Sequence, residues 1–105
     1  MANIQRGEIE AVIGKEKRTL CLTLGALAEL EARLKADDLI GLSERFEDGR
    51  LSARDLVAVL GAGLRGGGNA ISDDDLARMS IEGGLKGAAE IVMELLVVTF
   101  GENEQ

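Results

Sequence analysis

The sequence predicts a mostly helical α+β fold, in which an N-terminal antiparallel β-hairpin packs on a bundle of four to five helices. Between residues 8 and 24, apolar residues alternate with polar ones, which is the period of half-buried strands. From residue 25 to residue 100, apolar residues recur every three or four positions, which is the period of amphipathic helices. Residues 1–105 carry a net charge of −7 and are expected to form a single acidic domain, with a flexible tail over residues 101–105.

The hairpin is predicted from two short alternating runs on either side of a polar loop. Their apolar members are Ile9, Ala11, Ile13, Leu20, Leu22 and Leu24. With Gly14–Lys17 as the loop and Ile13 opposite Arg18, both apolar sets fall on one face of the hairpin. Cys21 then points away from that face and is expected to be an ordinary strand residue. Because a lone hairpin is marginal in water, its apolar face must rest on the helices.

Helices are predicted where amphipathic stretches carry start and stop signals. The predicted stretches are Gly25–Lys35, Asp37–Gly49, residues 52–65, Ser72–Met79 and residues 85–100. The third begins with Ser52-Ala53-Arg54-Asp55, which resembles a capping box with Asp in place of the usual Glu. The fourth begins with Ser72 and three Asp residues, whose charges the dipole of the first helical turn stabilises.

The last helix is too apolar for the surface of a monomer. Lys86, Glu90 and Glu94 form its polar stripe, and Leu95–Phe100 then offers a single hydroxyl group. Either the fold surrounds this end or another chain covers it, and we expect a homo-oligomer or a hydrophobic client. A strand over residues 95–100 is the alternative, because this stretch contains β-branched residues. The predicted interface residues are Ile91, Leu95, Leu96, Val98 and Phe100, with Val59 of the helix over residues 52–65.

Composition excludes several classes of function. The chain has no His, Trp, Tyr or Pro, so it lacks an imidazole base, a His-assisted nucleophile and a His-containing zinc site. Its acidic balance and its two aromatic residues argue against binding to nucleic acid or to an anionic membrane. The single cysteine and the polar residues 1–10 indicate a cytoplasmic location. We expect no catalytic residue, no cofactor and no metal site.

The negative charge is concentrated towards the C-terminus. Net charge is +1 over residues 1–18 and −6 from Ser72 onward. This distribution fits either a solvated polar face on the last helices or an acidic patch for a basic partner.

One motif resembles a nucleotide fingerprint. Residues 61–66, GAGLRG, fit the G-x-G-x-x-G pattern of dinucleotide sites, which requires a strand before the motif and a helix after it. Here a helix cap opens the upstream segment, and Gly66–Asn69 is a glycine-rich turn. We therefore interpret the motif as a helix that ends in a glycine-rich loop. Asp73–Asp75 lack the ligand spacing of a calcium loop and are interpreted as acids of a first helical turn.

Three longer strings resemble a known family. They are LTLGALAELEARL at residues 22–34, GRLSARDLVAVLGAGLRGGG at 49–68 and GGLKGAAEIVMELLVVTFG at 83–101. Together they look like the small tail protein of gene transfer agents of alphaproteobacteria, a family labelled phage tail tube protein and also read as a tail assembly chaperone. The resemblance implies a non-enzymatic role in building a phage-like tail, with the tape-measure protein or another tail protein as partner.

The predicted elements favour the chaperone over the tube subunit. A tube subunit needs a substantial β-sheet that joins its neighbours into a ring, and this chain predicts one short hairpin. A chaperone for a helical client needs apolar helical surface and a net charge that keeps it dissolved. We therefore expect a cytoplasmic tail assembly chaperone for the tape-measure protein. A structural tube or connector subunit of the particle is the alternative, and a small nucleotide-binding protein is the second alternative.

Overall fold

The computed structural model describes residues 7–34, Glu44 and residues 52–100. The elements of this part are the strands β1 (Glu8–Ile13) and β2 (Glu16–Cys21) and the helices α1 (Leu24–Leu34), α2 (Ala53–Gly66), α3 (Asp73–Ala77) and α4 (Gly84–Phe100). The predicted α+β, mostly helical fold with an N-terminal antiparallel hairpin is confirmed. The helix predicted over Asp37–Gly49 lies outside the described residues, except for Glu44, which is helical.

The hairpin closes through a two-residue turn. Gly14 and Lys15 have φ of +65° and +72°, which is the conformation of the type I′ turns that match the twist of paired strands. The predicted register and four-residue loop are wrong, because Glu16 and Lys17 already belong to β2 and Ile13 pairs with Glu16. The pairing differs from the prediction by two residues, so every side chain keeps its face of the hairpin. Ile9, Ile13 and Leu20 are accordingly buried.

The hairpin ends earlier than Leu24. Thr23 caps α1, since its Oγ1 accepts a hydrogen bond from the N–H of Ala26 at 3.1 Å and its carbonyl accepts one from the N–H of Leu27 at 2.8 Å. Leu24 therefore opens α1 and is 85% exposed instead of lying on the buried face of the hairpin.

Helix α2 lies at the centre of the described part and packs against β2, α1, α3 and α4. Its residues from Ala58 to Leu64 are all buried. The other side chains of the core come from the inner face of the hairpin, from α1 and from α4; the largest fully buried members are Ile13, Leu20, Leu30, Leu60, Leu64, Leu95, Val59 and Val92. Leu, Ile and Val thus fill the interior, as a chain with so few aromatic residues requires.

Both predicted N-caps of the second half are present. The N–H of Asp55 donates to Ser52 Oγ at 3.1 Å, and the N–H of Ser52 donates to Asp55 Oδ2 at 3.0 Å, which completes a capping box. At α3, the N–H of Asp75 donates to Ser72 Oγ at 3.0 Å. The three consecutive Asp residues lie in the first turn of α3, where the helix dipole stabilises their charge.

Candidate interaction surface

The glycine motif is used for packing. All three of its glycines lie within α2, so the strand, turn and helix of a dinucleotide site are not formed there. A Cβ atom at Gly63 would lie 2.7 Å from Leu95 Cδ2 in α4, and a Cβ atom at Gly66 would overlap the carbonyl oxygen of Cys21 in β2. The glycines therefore let α2 approach the hairpin and α4 closely.

A charged network joins α1, α2 and α3. Arg65 donates from Nη1 to Asp73 Oδ1 and to the carbonyl of Ile71, each at 2.9 Å, and it pairs through Nη2 with Glu29. Arg33 also pairs with Asp73. Burial lowers the pKa of Arg65, but hydrogen bonds and charges from Glu29 and Asp73 outweigh it and raise this pKa above its ordinary value. Arg65 is thus a fixed cation that holds three helices together.

Residues 7–34, Glu44 and residues 52–100 contain no group of three His, Cys, Asp or Glu side chains that could hold a metal ion. Within those residues, no helix has both the length and the apolar character needed to cross a membrane.

An apolar groove opens between α2, α3 and the first turns of α4. Its volume is about 210 Å³, and Leu56, Leu76, Met79 and Leu85 are among the side chains that line it. Leu85 stands at its edge and is 67% exposed. Small-molecule sites combine apolar walls with a few polar groups that orient the ligand, and the side chains that line this groove are all apolar. The groove therefore lacks the features of a substrate pocket.

The six predicted interface residues do not form one surface. Val59, Leu95 and Leu96 are buried in the core of the chain itself. Ile91 and Val98 are partly buried against that core. Phe100 is 44% exposed and is the member of the set that faces solvent. The helical period of α4 explains this division, since Leu95 and Leu96 continue the inward stripe of Ala88 and Val92.

Three exposed apolar residues of α4 were missed by the sequence prediction, namely Leu85, which the sequence places on the buried stripe, and also Met93 and Val97. Met93 is 47% exposed and Val97 is 38% exposed. Together with Phe100 they follow an i, i+4, i+7 spacing, which places all three on one side of the helix. We call Met93, Val97 and Phe100 the outer α4 surface. The signal was present in the sequence, because Met93 and Phe100 repeat the position of the exposed Lys86 at intervals of seven residues.

The last two turns of α4 present little polar surface. The hydroxyl of Thr99 donates to the carbonyl of Leu95 at 2.6 Å, so its hydrogen bond is made within the helix. The strand considered for residues 95–100 is not formed, because these residues belong to α4. Carboxylates lie beside the outer α4 surface instead, and Glu90 and Glu94 are both exposed.

A match to a protein family shows which proteins this chain is related to. A family model described as phage tail tube protein, GTA-gp10, matches residues 6–102. The chain belongs to this family. The family places it among the phage tail proteins of gene transfer agents, as its sequence strings suggested. A search of curated proteins and a search of solved structures each found no match.

Membership of this tail protein family fits the geometry described above. A family of phage tail tube proteins points to a structural, non-enzymatic protein. It also makes other tail proteins the natural partners of this chain. The outer α4 surface is the part of the described chain where exposed apolar side chains of one helix lie side by side.

Proposed function

We propose that this chain is a tail assembly chaperone of a gene transfer agent, which binds the hydrophobic, helical tape-measure protein in the cytoplasm before the tail is built. The observation that carries the proposal is the outer α4 surface. A helical client can lay its own apolar stripe along Met93, Val97 and Phe100, as amphipathic helices do in other complexes. The net charge of −7 keeps such a complex dispersed while the surface is occupied.

The alternative is a structural tail tube or connector subunit, and the family description favours it. A tube subunit has to extend its β-sheet to its neighbours in the ring, which requires open strand edges. In the described residues the outer edge of β2 is covered by α2 and Asn69, whose Nδ2 donates to the carbonyl of Thr19 at 2.8 Å. At the end of β1, the N–H of Gly14 donates to the carbonyl of Ser80 at 2.9 Å. These contacts close the outer edge of β2 and the end of β1, which leaves only part of one strand edge for a neighbour and supports the chaperone.

We also expect this chain to form a homo-oligomer. The apolar end of α4 motivated that prediction, but Val12, Leu24 and Leu85 are exposed as well, so an oligomer does not have to use the outer α4 surface. Light scattering of the purified chain over a range of concentrations measures the assembly state directly. A mass that exceeds 11.1 kDa by a whole-number factor at all concentrations would support it.

The decisive experiment compares finished particles with the assembling cell. We expect mass spectrometry of purified particles to find the major tail proteins without this chain, and we expect the chain to co-purify with tape-measure segments from lysates. Stoichiometric presence of the chain in particles, with no tape-measure capture, would establish the structural subunit instead. The nucleotide alternative predicts a rise in melting temperature at about millimolar NAD or ATP, and we expect no change.

A further inference from the structure

The outer α4 surface is bordered by negative charge. Glu90 lies three residues before Met93, and Glu94 lies three residues before Val97. Because residues three or four apart are neighbours on a helix, each of these apolar side chains has a carboxylate beside it. Lys86 is the one basic residue of α4, and it lies two turns before Met93. The C-terminal half of the exposed face is therefore apolar in its middle and acidic at its border.

We infer that the partner of this surface is an amphipathic α-helix whose apolar stripe is bordered by Lys or Arg residues. This inference rests on the proposed function and specifies which class of client segment the chaperone binds. The i, i+4, i+7 spacing of Met93, Val97 and Phe100 forms an apolar stripe along α4, which matches the apolar stripe of a second amphipathic helix. Basic side chains beside that helix's stripe would face Glu90 and Glu94, which fixes its orientation and speeds its encounter with the acidic chain.

A second copy of this chain fits the same surface poorly. A two-fold contact is made by the same patch on both molecules, and when the two α4 helices run antiparallel it brings Glu90 and Glu94 of each copy to one shared border. Like charges placed against each other disfavour such a contact. The charge pattern thus selects a basic helix over self-association at this surface, and it gives the acidic C-terminal third of the sequence a role in recognition.

Two synthetic peptides of about 18 residues, long enough for five helical turns, provide the test. They share one apolar stripe of Leu residues and differ only at the bordering positions, which are Lys in one peptide and Glu in the other. Binding to the full chain is measured by fluorescence anisotropy. We expect the Lys-bordered peptide to bind at least about tenfold more tightly, and we expect this preference to shrink between about 0.05 M and about 0.5 M NaCl.

Two matched pairs of variants locate the site. The double variant Glu90→Lys, Glu94→Lys is expected to reverse the peptide preference, whereas Glu31→Lys, at an exposed position of α1, leaves it intact. Val97→Ser is expected to weaken the Lys-bordered peptide about fivefold, whereas Leu24→Ser at another exposed apolar position has no effect. Circular dichroism verifies that all four variants keep the helical content of the parent.

Three outcomes would overturn the inference. Equal binding of both peptides, an unchanged preference in the double variant, or a dimer that Val97→Ser dissociates would each exclude a basic helix as the partner. If the chain still captured tape-measure segments in that case, the chaperone function would stand and the docking surface would lie elsewhere. If the peptide preference held but no tape-measure segment were captured, the proposed function would fail while the surface kept its assigned partner chemistry.

Discussion

Arg65 Nη1 donates a hydrogen bond to Asp73 Oδ1 at 2.9 Å, and this contact joins the last turn of α2 to the first turn of α3. The same guanidinium pairs with Glu29 of α1 and donates to the carbonyl of Ile71. One side chain near the end of the glycine motif thus connects three helices. Its raised pKa means that the cation persists over the whole range in which the protein can be studied.

Loss of this cation should destabilise the fold. Arg65→Met removes the partner of Glu29 and one partner of Asp73, and we expect the free energy of unfolding in urea to fall by about 1–2 kcal/mol, because the network is partly exposed. Arg78→Met is the matched control, since Arg78 is exposed and approaches Asp75 at 3.9 Å; its effect should stay within about 0.5 kcal/mol. Equal effects of the two variants would mean that the network contributes nothing specific.

The close approach of α2 to the hairpin predicts a large effect at Gly66. A Cβ atom there would overlap the carbonyl oxygen of Cys21, which belongs to the backbone and cannot rotate away. We expect Gly66→Ala to lower the free energy of unfolding by about 1–3 kcal/mol. Gly25→Ala, in the first turn of α1 with its nearest neighbour at 3.9 Å, should leave stability unchanged or raise it by up to about 1 kcal/mol. An unchanged free energy of unfolding in Gly66→Ala would show that the C-terminal end of α2 can shift to make room for the methyl group.

Leu96 and Val97 are adjacent in sequence but lie on different faces of α4, about 100° apart around its axis. Leu96 is 4% exposed and Val97 is 38% exposed. We expect Leu96→Asp to unfold the chain, because it buries a carboxylate without a partner. Val97→Asp should keep the fold and abolish tape-measure capture. Thermal melts followed by circular dichroism measure the first effect, and a pull-down with tape-measure segments measures the second. Full client capture by a folded Val97→Asp variant would argue against the outer α4 surface as the docking site.

The capping box of α2 predicts a smaller, local effect. Ser52→Ala removes the acceptor of the Asp55 N–H, and we expect a loss of about 1 kcal/mol in urea unfolding. Ser80→Ala is the control, because the hydrogen bond of Ser80 with Gly14 uses the backbone carbonyl and not the side chain. Its effect should stay within about 0.5 kcal/mol. Equal stability of both variants would mean that water replaces the cap at no cost.

Local sequence signals predicted the hairpin and the helices of the described part well, and they predicted the site less well. Alternation and capping patterns are short-range properties, so β1, β2 and the starts of α2 and α3 could be recognised from neighbouring residues. The strand register could not be predicted, because it depends on the conformation of the turn. The turn has a positive φ at Lys15, and Lys rarely adopts that conformation. Similarly, Leu24 is predicted to lie in a strand because it continues the alternation of apolar and polar residues. In the structure Thr23 caps α1, so the strand has already ended before Leu24.

By itself the sequence determined the helical fold with its N-terminal hairpin, the acidic character of the C-terminal third and the family of tail proteins to which the chain belongs. The spacing of Met93 and Phe100 from Lys86 indicates the outer side of α4, but only the tertiary structure decided which of the other apolar residues remain available to a partner. Leu95 and Leu96 are buried, whereas Met93, Val97 and Phe100 are exposed. The physical reason is that α4 carries apolar residues on its outer side as well as on its inner side. Hydrophobicity alone therefore does not show which side faces the core. Packing against α2 and the hairpin makes that distinction.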